Sequence, residues 1–205
     1  MALILRMICW AIFLLPSTVL AGEYNPVLNI GDAAPQWMNL PGTDNKEHSF
    51  EDLADKQAIV VVFTCNSCPY AVDYEDRLIA FAEKFAASDV ALVAINVNKV
   101  EEDLLPAMKE RATEKKFNFA YLFDETQQTA RAYGATYTPE VFLLNRERQV
   151  VYMGALDDNA DLKKVKKRYL ESAITATLKD QMPEVQETVA IGCRIRLERQ
   201  RRRKK

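Results

Sequence analysis

Residues 59–74, Ile-Val-Val-Val-Phe-Thr-Cys-Asn-Ser-Cys-Pro-Tyr-Ala-Val-Asp-Tyr, constrain the fold more than any other stretch of the chain. Ile59 to Phe63 is an unbroken apolar run rich in β-branched side chains, the pattern of a strand buried on both faces. Thr64 ends it, Cys65-Asn66-Ser67-Cys68 follows at once, and Pro69 stands where proline is favoured, in the first turn of a helix. A strand must therefore hand over to a helix across two cysteines with two residues between them. Unpaired N–H groups and the helix dipole favour a thiolate at such a helix start. The spacing predicts that Cys65 caps the helix as the more exposed and more acidic thiol. Cys68 then lies one turn further on, turned inward and close enough to close a short disulfide.

The first 21 residues of the 205 differ in kind from the rest. They hold one basic residue, Arg6, an apolar run from Met7 to Leu15, a break at Pro16-Ser17, and Val19-Leu20-Ala21 before Gly22. That is the layout of a cleaved secretory signal peptide; the alternative is an uncleaved N-terminal anchor. Both predict a domain that works outside the cytoplasm, periplasmic or secreted. Residues 22–180 suit one domain, and 181–205 form a C-terminal extension.

Of the four cysteines, Cys9 leaves with the signal, and Cys65, Cys68 and Cys193 remain. Three thiols do not make a stapled scaffold; in an oxidising compartment they suggest one redox pair and one further thiol. Residues 194–205 carry eight basic side chains against Glu198 alone, whereas residues 22–193 hold 18 basic and 28 acidic ones. An acidic body with a basic tail argues against a nucleic-acid-binding domain, which would set its basic residues on a folded face. The block Arg199 to Lys205 is expected to be disordered, a solvated terminus or a weak contact for anionic membrane surfaces.

Along the chain, Pro41 to Asn45 is dense in turn formers and predicts a β-hairpin, and Ser49 with Asp52 predicts a capping box opening a short helix through Ala54. Helical spacing follows Pro69 to near Ser88, and Val90 to Val97 is a second buried strand, parallel to the first by its β-α-β order. Asp103 to Lys116 reads as a helix, Phe117 to Phe123 as containing a strand, and Glu125 to Tyr133 as a helix closed by Gly134. Val141 to Asn145 and Gln149 to Met153 form an antiparallel pair across a polar turn. Asp161 to Leu178 reads as a long final helix rich in lysine, and beyond Gln181 the pattern fades.

A Cys-x-x-Cys at the strand-to-helix turn of a β-α-β unit is the setting of a thioredoxin-like redox site. Thr138-Pro139, roughly seventy positions on and just before the β-hairpin and last helix, strengthens it. Gly31-Asp32-Ala33-Ala34-Pro35, the hairpin Gly42 to Phe50, Cys65 to Tyr70, Asp124 to Asn145, Val151 to Asn159 and Gly192-Cys193 together resemble the redoxins, the alkyl hydroperoxide reductase and thiol-specific antioxidant branch of the thioredoxin superfamily. Within it they are most similar to the peroxiredoxin-like thioredoxins. The resemblance covers Gly31 to about Arg196.

It implies a three-layer α/β thioredoxin-like fold, a central mixed sheet with helices on both faces and an N-terminal β-hairpin. It further implies a cis Pro139 facing the dithiol, and a groove at Thr64, Thr138 and Pro139 whose Thr138 backbone pairs with an extended partner segment. The implied activity is thiol–disulfide oxidoreductase: Cys65 attacks a protein disulfide, Cys68 resolves the mixed disulfide, and an upstream thiol reductant restores the pair, with no cofactor. Cys193 is a candidate third redox thiol. The alternative is a peroxiredoxin-like thiol peroxidase with antioxidant activity. Tryptophan usually precedes the first thioredoxin cysteine, and here it is Thr64. Peroxiredoxins set a threonine three positions before a peroxidatic Cys-Pro, and Thr64 is four before Cys68.

Other readings of the same residues are weaker. A zinc site needs four ligands, and only Cys193 and His48 are on offer beyond the pair. Copper-binding relatives of this fold would want a histidine downstream, and none exists. His48, the single histidine, reads as a surface residue of the hairpin; Glu140 reads either as a contact for a partner peptide or as a solvated strand start. Asp157-Asp158-Asn159 reads as a turn followed by a helix cap.

Overall fold

A computed structural model describes residues 22–199. The signal-peptide reading of residues 1–21 and most of the basic tail, residues 200–205, lie outside the described residues. The N-terminal hairpin is short: β1 (Leu40–Pro41) pairs antiparallel with β2 (Glu47–His48). The helix after it is a single 3-10 turn, Phe50–Leu53, whose Ser49 N–H donates to Asp52 Oδ2 at 2.7 Å.

β3 (Ala58–Phe63) is buried at every position. Ile59, Val61 and Phe63 face a core shared with Trp37, Tyr133 and Phe142, while Val60 and Val62 face Leu78, Phe81 and Ile174. A strand covered on both sides has no solvent face to mark with polar residues, hence its continuous apolar sequence. Helix α1 (Pro69–Phe85) follows, then β4 (Val90–Asn96), parallel to β3 with Val61 opposite Val93. Helix α2 (Leu105–Lys115) tolerates Pro106 in its first turn, where no intrahelical N–H is needed. β5 (Ala120–Phe123) runs parallel to β4.

Helix α3 (Gln128–Tyr133) ends at Gly134 in the left-handed conformation, φ 66°, as its sequence position predicts. The short β6 (Tyr137–Thr138) precedes β7 (Glu140–Leu144), which pairs antiparallel with β3, and β8 (Val150–Gly154), which pairs antiparallel with β7. The central mixed sheet is ordered β5-β4-β3-β7-β8. It carries α1, α2 and the last helix, α4 (Tyr169–Thr177), on one face, and α3 with the N-terminal segment on the other.

Two features depart from the sequence reading. The expected helix Asp161 to Leu178 is only its second half; the lysine-rich part is a 3-10 turn, Leu162–Lys164, and an extended link. Lys163 with Lys167 and Lys164 with Arg168 would set like charges four apart on a helix, which is unfavourable. The link instead ties to the preceding loop, with Lys166 N–H on Asp158 Oδ1 at 2.8 Å and Asp158 N–H on the Lys167 carbonyl at 3.1 Å.

The second departure is the chain beyond Gln181, which forms an extended strap. Met153 N–H donates to the Gln186 carbonyl and Thr188 N–H to the Met153 carbonyl, both at 3.0 Å. The strap then crosses the end of the sheet, where β9 (Cys193–Arg194) pairs antiparallel with β6. Arg196 N–H on Asn98 Oδ1 at 2.9 Å and Glu198 N–H on Gln127 Oε1 at 2.7 Å fasten its far end. No helix among the described residues is long and apolar enough to cross a membrane.

Candidate active site

The central strand β3 delivers Cys65 just past its C-terminal end, and α1 begins four residues later at Pro69. The helix start belongs to Cys68, not to Cys65 as the spacing predicts. Cys68 is the N-cap, with extended backbone (φ −92°, ψ 117°), and its Sγ accepts the Ala71 N–H at 3.4 Å. Proline favours the first helical position, so the residue before Pro69 becomes the cap. Cys65 lies outside the helix, its Sγ 3.5 Å from Thr138 Oγ1 and 3.8 Å from Ser67 Oγ. Both sulfurs are covered: Cys65 is 3% exposed and Cys68 1%. The exposure expected of Cys65 shrinks to this small difference, and both thiols are buried.

The Thr138–Pro139 peptide is cis, as the resemblance implies. Glu140, expected at a partner peptide or in solvent, is buried instead, and its Oε2 accepts the Thr136 and Tyr137 N–H groups at 2.8 and 2.9 Å. It holds the backbone turn that leads into β6. His48 sits on the hairpin with Asp44, away from the thiols.

The loop between the cysteines is held by a residue the sequence reading passed over. Asp103 is fully buried; its Oδ1 accepts the Asn66 and Ser67 N–H groups, both at 2.8 Å. Its Oδ2 accepts the Ser67 hydroxyl at 2.6 Å and Asn98 Nδ2 at 3.1 Å. Tyr121 donates its hydroxyl to Asn66 Oδ1 at 3.0 Å from the β5 side. No spacing rule links position 103 to positions 66 and 67; the contact exists because β3 and β4 are parallel neighbours whose ends share one edge.

These surroundings treat the two thiols oppositely. Cys68 is pulled down to about 4, first by a hydrogen bond from Cys65, with Cys193, Thr138 and the Ala71 N–H adding to it against the cost of burial. Cys65 is raised far above the ordinary thiol value by the same pairing, by burial and by the negative charge of Asp103. One contact opposes ionisation of Cys68: its protonated thiol can donate to the Thr138 carbonyl at 3.1 Å. Several donors and a helix start outweigh one carbonyl, so the pair loses its first proton at Cys68.

The third thiol joins them. In the β6–β9 register Cys193 stands opposite Thr138, and Cys193 packs against the cluster of Cys65, Cys68 and Ala71. Cys68 beside it raises its thiol to about 11. The backbone edge expected to receive a partner segment is therefore occupied by this chain's own strap. Gly192 makes the fit: a Cβ there would lie 2.0 Å from the Thr138 carbonyl oxygen and 3.2 Å from Pro139 N. A surface groove of about 850 Å³ runs between α4 and the start of the strap along Lys167, Lys179 and Met182, and neither thiol nor Pro139 lines it.

The AhpC/TSA family profile matches residues 30–153. The chain belongs to the AhpC/TSA family. Among solved structures, this AhpC/TSA protein is similar to a hypothetical protein of Sinorhizobium meliloti, at 32% identity and TM-score 0.79 over 85% of this chain and 97% of that one. It is similar also to an uncharacterized conserved protein of Geobacillus kaustophilus, at 31% identity and TM-score 0.80 over 86% and 96%. A protein of Chlorobium tepidum named as a thiol:disulfide interchange protein, DsbE, aligns at 26% identity and TM-score 0.62 over 74% of this chain and 99% of that one. None of the curated proteins matches the sequence. Family and fold put this AhpC/TSA chain among thioredoxin-like, thiol-dependent oxidoreductases.

Proposed function

We propose that this AhpC/TSA protein is an exported thiol–disulfide oxidoreductase working through the Cys65–Cys68 dithiol on protein disulfides. The observation that carries the reading is the N-cap position of Cys68, whose sulfur accepts the Ala71 N–H at 3.4 Å and whose thiol is pulled down by the neighbouring Cys65. Cys68 as thiolate attacks one sulfur of a substrate disulfide, forming a mixed disulfide and expelling the second substrate sulfur as thiolate. Cys65 then attacks the Cys68 sulfur, gives up its proton, and releases the first substrate sulfur. The substrate gains two electrons and the protein is left with a Cys65–Cys68 disulfide, which an external dithiol reduces. Nucleophile and resolving thiol are thus exchanged relative to the order expected from spacing, because the helix cap is Cys68.

Export rests on the signal-like layout of residues 1–21, and the interchange role of the Chlorobium relative agrees with the reading. A peroxidase would need a cation beside the thiolate to stabilise the departing oxygen. Arg77 and Arg111 are committed elsewhere, Arg77 to Asp157 at 2.6 Å and Arg111 to Glu75 at 2.7 Å, and the charge of Arg196 is felt at Cys193. The test is to oxidise the protein, map its disulfides, and assay insulin reduction and peroxide consumption side by side. A Cys65–Cys68 disulfide with insulin turnover is expected. Peroxide turnover orders of magnitude above that of a free low-pKa thiol, with no insulin reduction, would assign the peroxidase role instead.

A further inference from the structure

A buried dithiol has an access problem. With Cys65 3% and Cys68 1% exposed, neither sulfur is open to a second protein while the strap is seated, so the direct attack of Cys68 on a substrate disulfide requires the strap to lift. The strap itself supplies a way out. It lies antiparallel along Thr138, the edge at which an extended substrate segment would pair, so its residue opposite Thr138 occupies the place of a substrate sulfur. That residue is Cys193, the only one of the three thiols in the cluster that is partly exposed.

The approach is built rather than incidental. Gly192 lies so close to the Thr138–Pro139 peptide that even a methyl group would meet backbone on the other side. The strap is fastened on both sides of this point, to β8 through residues 186–188 and to Asn98 and Gln127 through residues 196–198.

We infer that Cys193 is a third redox cysteine, which exchanges with Cys68 and carries the disulfide from the buried pair to the surface. This deepens the thiol–disulfide reading and rests on it. In the oxidised protein, the Cys193 thiolate attacks the Cys68 sulfur of the Cys65–Cys68 disulfide. The Cys68–Cys193 bond forms, Cys65 leaves as thiolate and takes up the proton that Cys193 gave up, and no electrons are gained or lost. An external dithiol then attacks the partly exposed Cys193 sulfur and expels Cys68 as thiolate. Its second thiol resolves the mixed disulfide, regenerating the Cys193 thiol and leaving the reductant as a disulfide.

The experiment traps the exchange. In Cys65→Ser protein the buried pair cannot close, so treatment with diamide is expected to join Cys68 to Cys193 within one molecule, seen by non-reducing peptide mapping. Gly192→Val in the same background, which lifts the strap from Thr138, should lower that yield several-fold. In otherwise native protein, Cys193→Ser should slow the reduction of the Cys65–Cys68 disulfide by dithiothreitol by about tenfold, since the buried sulfurs must then be attacked directly. Cys193 recovered as a free thiol throughout in Cys65→Ser protein, together with an unchanged reduction rate in Cys193→Ser, would overturn the inference. If wild-type protein still forms a reducible Cys65–Cys68 disulfide and turns over insulin, the proposed function survives that outcome. If it forms none, that reading fails by itself.

Discussion

Asp103 offers a direct test of how the active-site loop is held. Its carboxylate is fully buried and accepts four hydrogen bonds, two from backbone N–H groups of the loop, one from the Ser67 hydroxyl and one from Asn98. Asp103→Ala leaves all four donors without a partner. At about 1 kcal/mol per donor the total cost is about 4 kcal/mol. Asp103→Asn separates hydrogen bonding from charge. Its carbonyl can keep both backbone donors and the Ser67 hydroxyl can turn to accept, but its amide meets the Asn98 amide donor to donor. One lost bond predicts a cost of about 1–2 kcal/mol. Removing the charge should also ease ionisation of Cys65, which Asp103 opposes. Urea titrations at constant slope measure the first effect, and pH-dependent alkylation with mass-spectrometric assignment measures the second. Asp103→Ala within about 0.5 kcal/mol of wild type would refute the reasoning, because a residue that truly holds this loop cannot be removed without loss.

Three further outcomes follow from the same surroundings. Alkylation of the native protein should show a step near pH 4 that belongs to Cys68, vanishes in Cys68→Ser, and moves upward in Cys65→Ser, which removes its largest support; a step that survives in Cys68→Ser returns the nucleophile's role to Cys65. Burial raises the Glu140 carboxyl above its ordinary value despite two backbone N–H groups. A raised folded value means stability that is full below the unfolded value and is lost as pH rises through the folded one. Glu140→Gln, which keeps an acceptor and does not titrate, should therefore gain on wild type between pH 4 and 7, and a constant difference in denaturation midpoint across that range would contradict this. Arg77→Ala breaks a buried pair with Asp157 and should cost about 3–5 kcal/mol while leaving the alkylation profile unchanged; a shifted profile would show that Arg77 acts on the thiols.

Much of the fold was legible because local chemistry and tertiary position agree. The apolar run of β3, the left-handed cap at Gly134 and Pro69 at the start of α1 each have one reading, and the structure adopts it. The lysine-rich half of the expected last helix failed because composition cannot weigh like-charge repulsion against tertiary hydrogen bonds to Asp158. The strap was invisible for a related reason. Residues 181–199 carry no period of 2 or 3.6, since they are held by single hydrogen bonds to edges that other elements create. At the site, the cysteine pair was readable from spacing, and the cis proline from the family resemblance. Asp103 was not, because its partners lie thirty-six and thirty-seven positions away and meet only across the parallel pair β3–β4. The misplacement of the cap was avoidable: Pro69 marks the first helical residue, and the cap is the one before it.

That one-residue placement also decides what Cys65 can do. Counting back from the capping Cys68, the third position is where peroxiredoxins resemble one another in carrying threonine, and here it carries Cys65. A hydroxyl at that position can only donate to a neighbouring thiolate. A thiol can donate while Cys68 is reduced, and it can attack once Cys68 has formed a bond to another sulfur. Under the proposed function, the side chain that most lowers the proton affinity of Cys68 also serves as its resolving partner. Thr138 touches both sulfurs, with its hydroxyl 3.5 Å from Cys65 and its carbonyl, which favours the protonated thiol, 3.1 Å from Cys68. Arginines 77 and 111 are bound in ion pairs with Asp157 and Glu75, and the chemistry proposed for this site is transfer of a disulfide among thiols. A third redox cysteine on the strap, as inferred above, would extend that transfer outward.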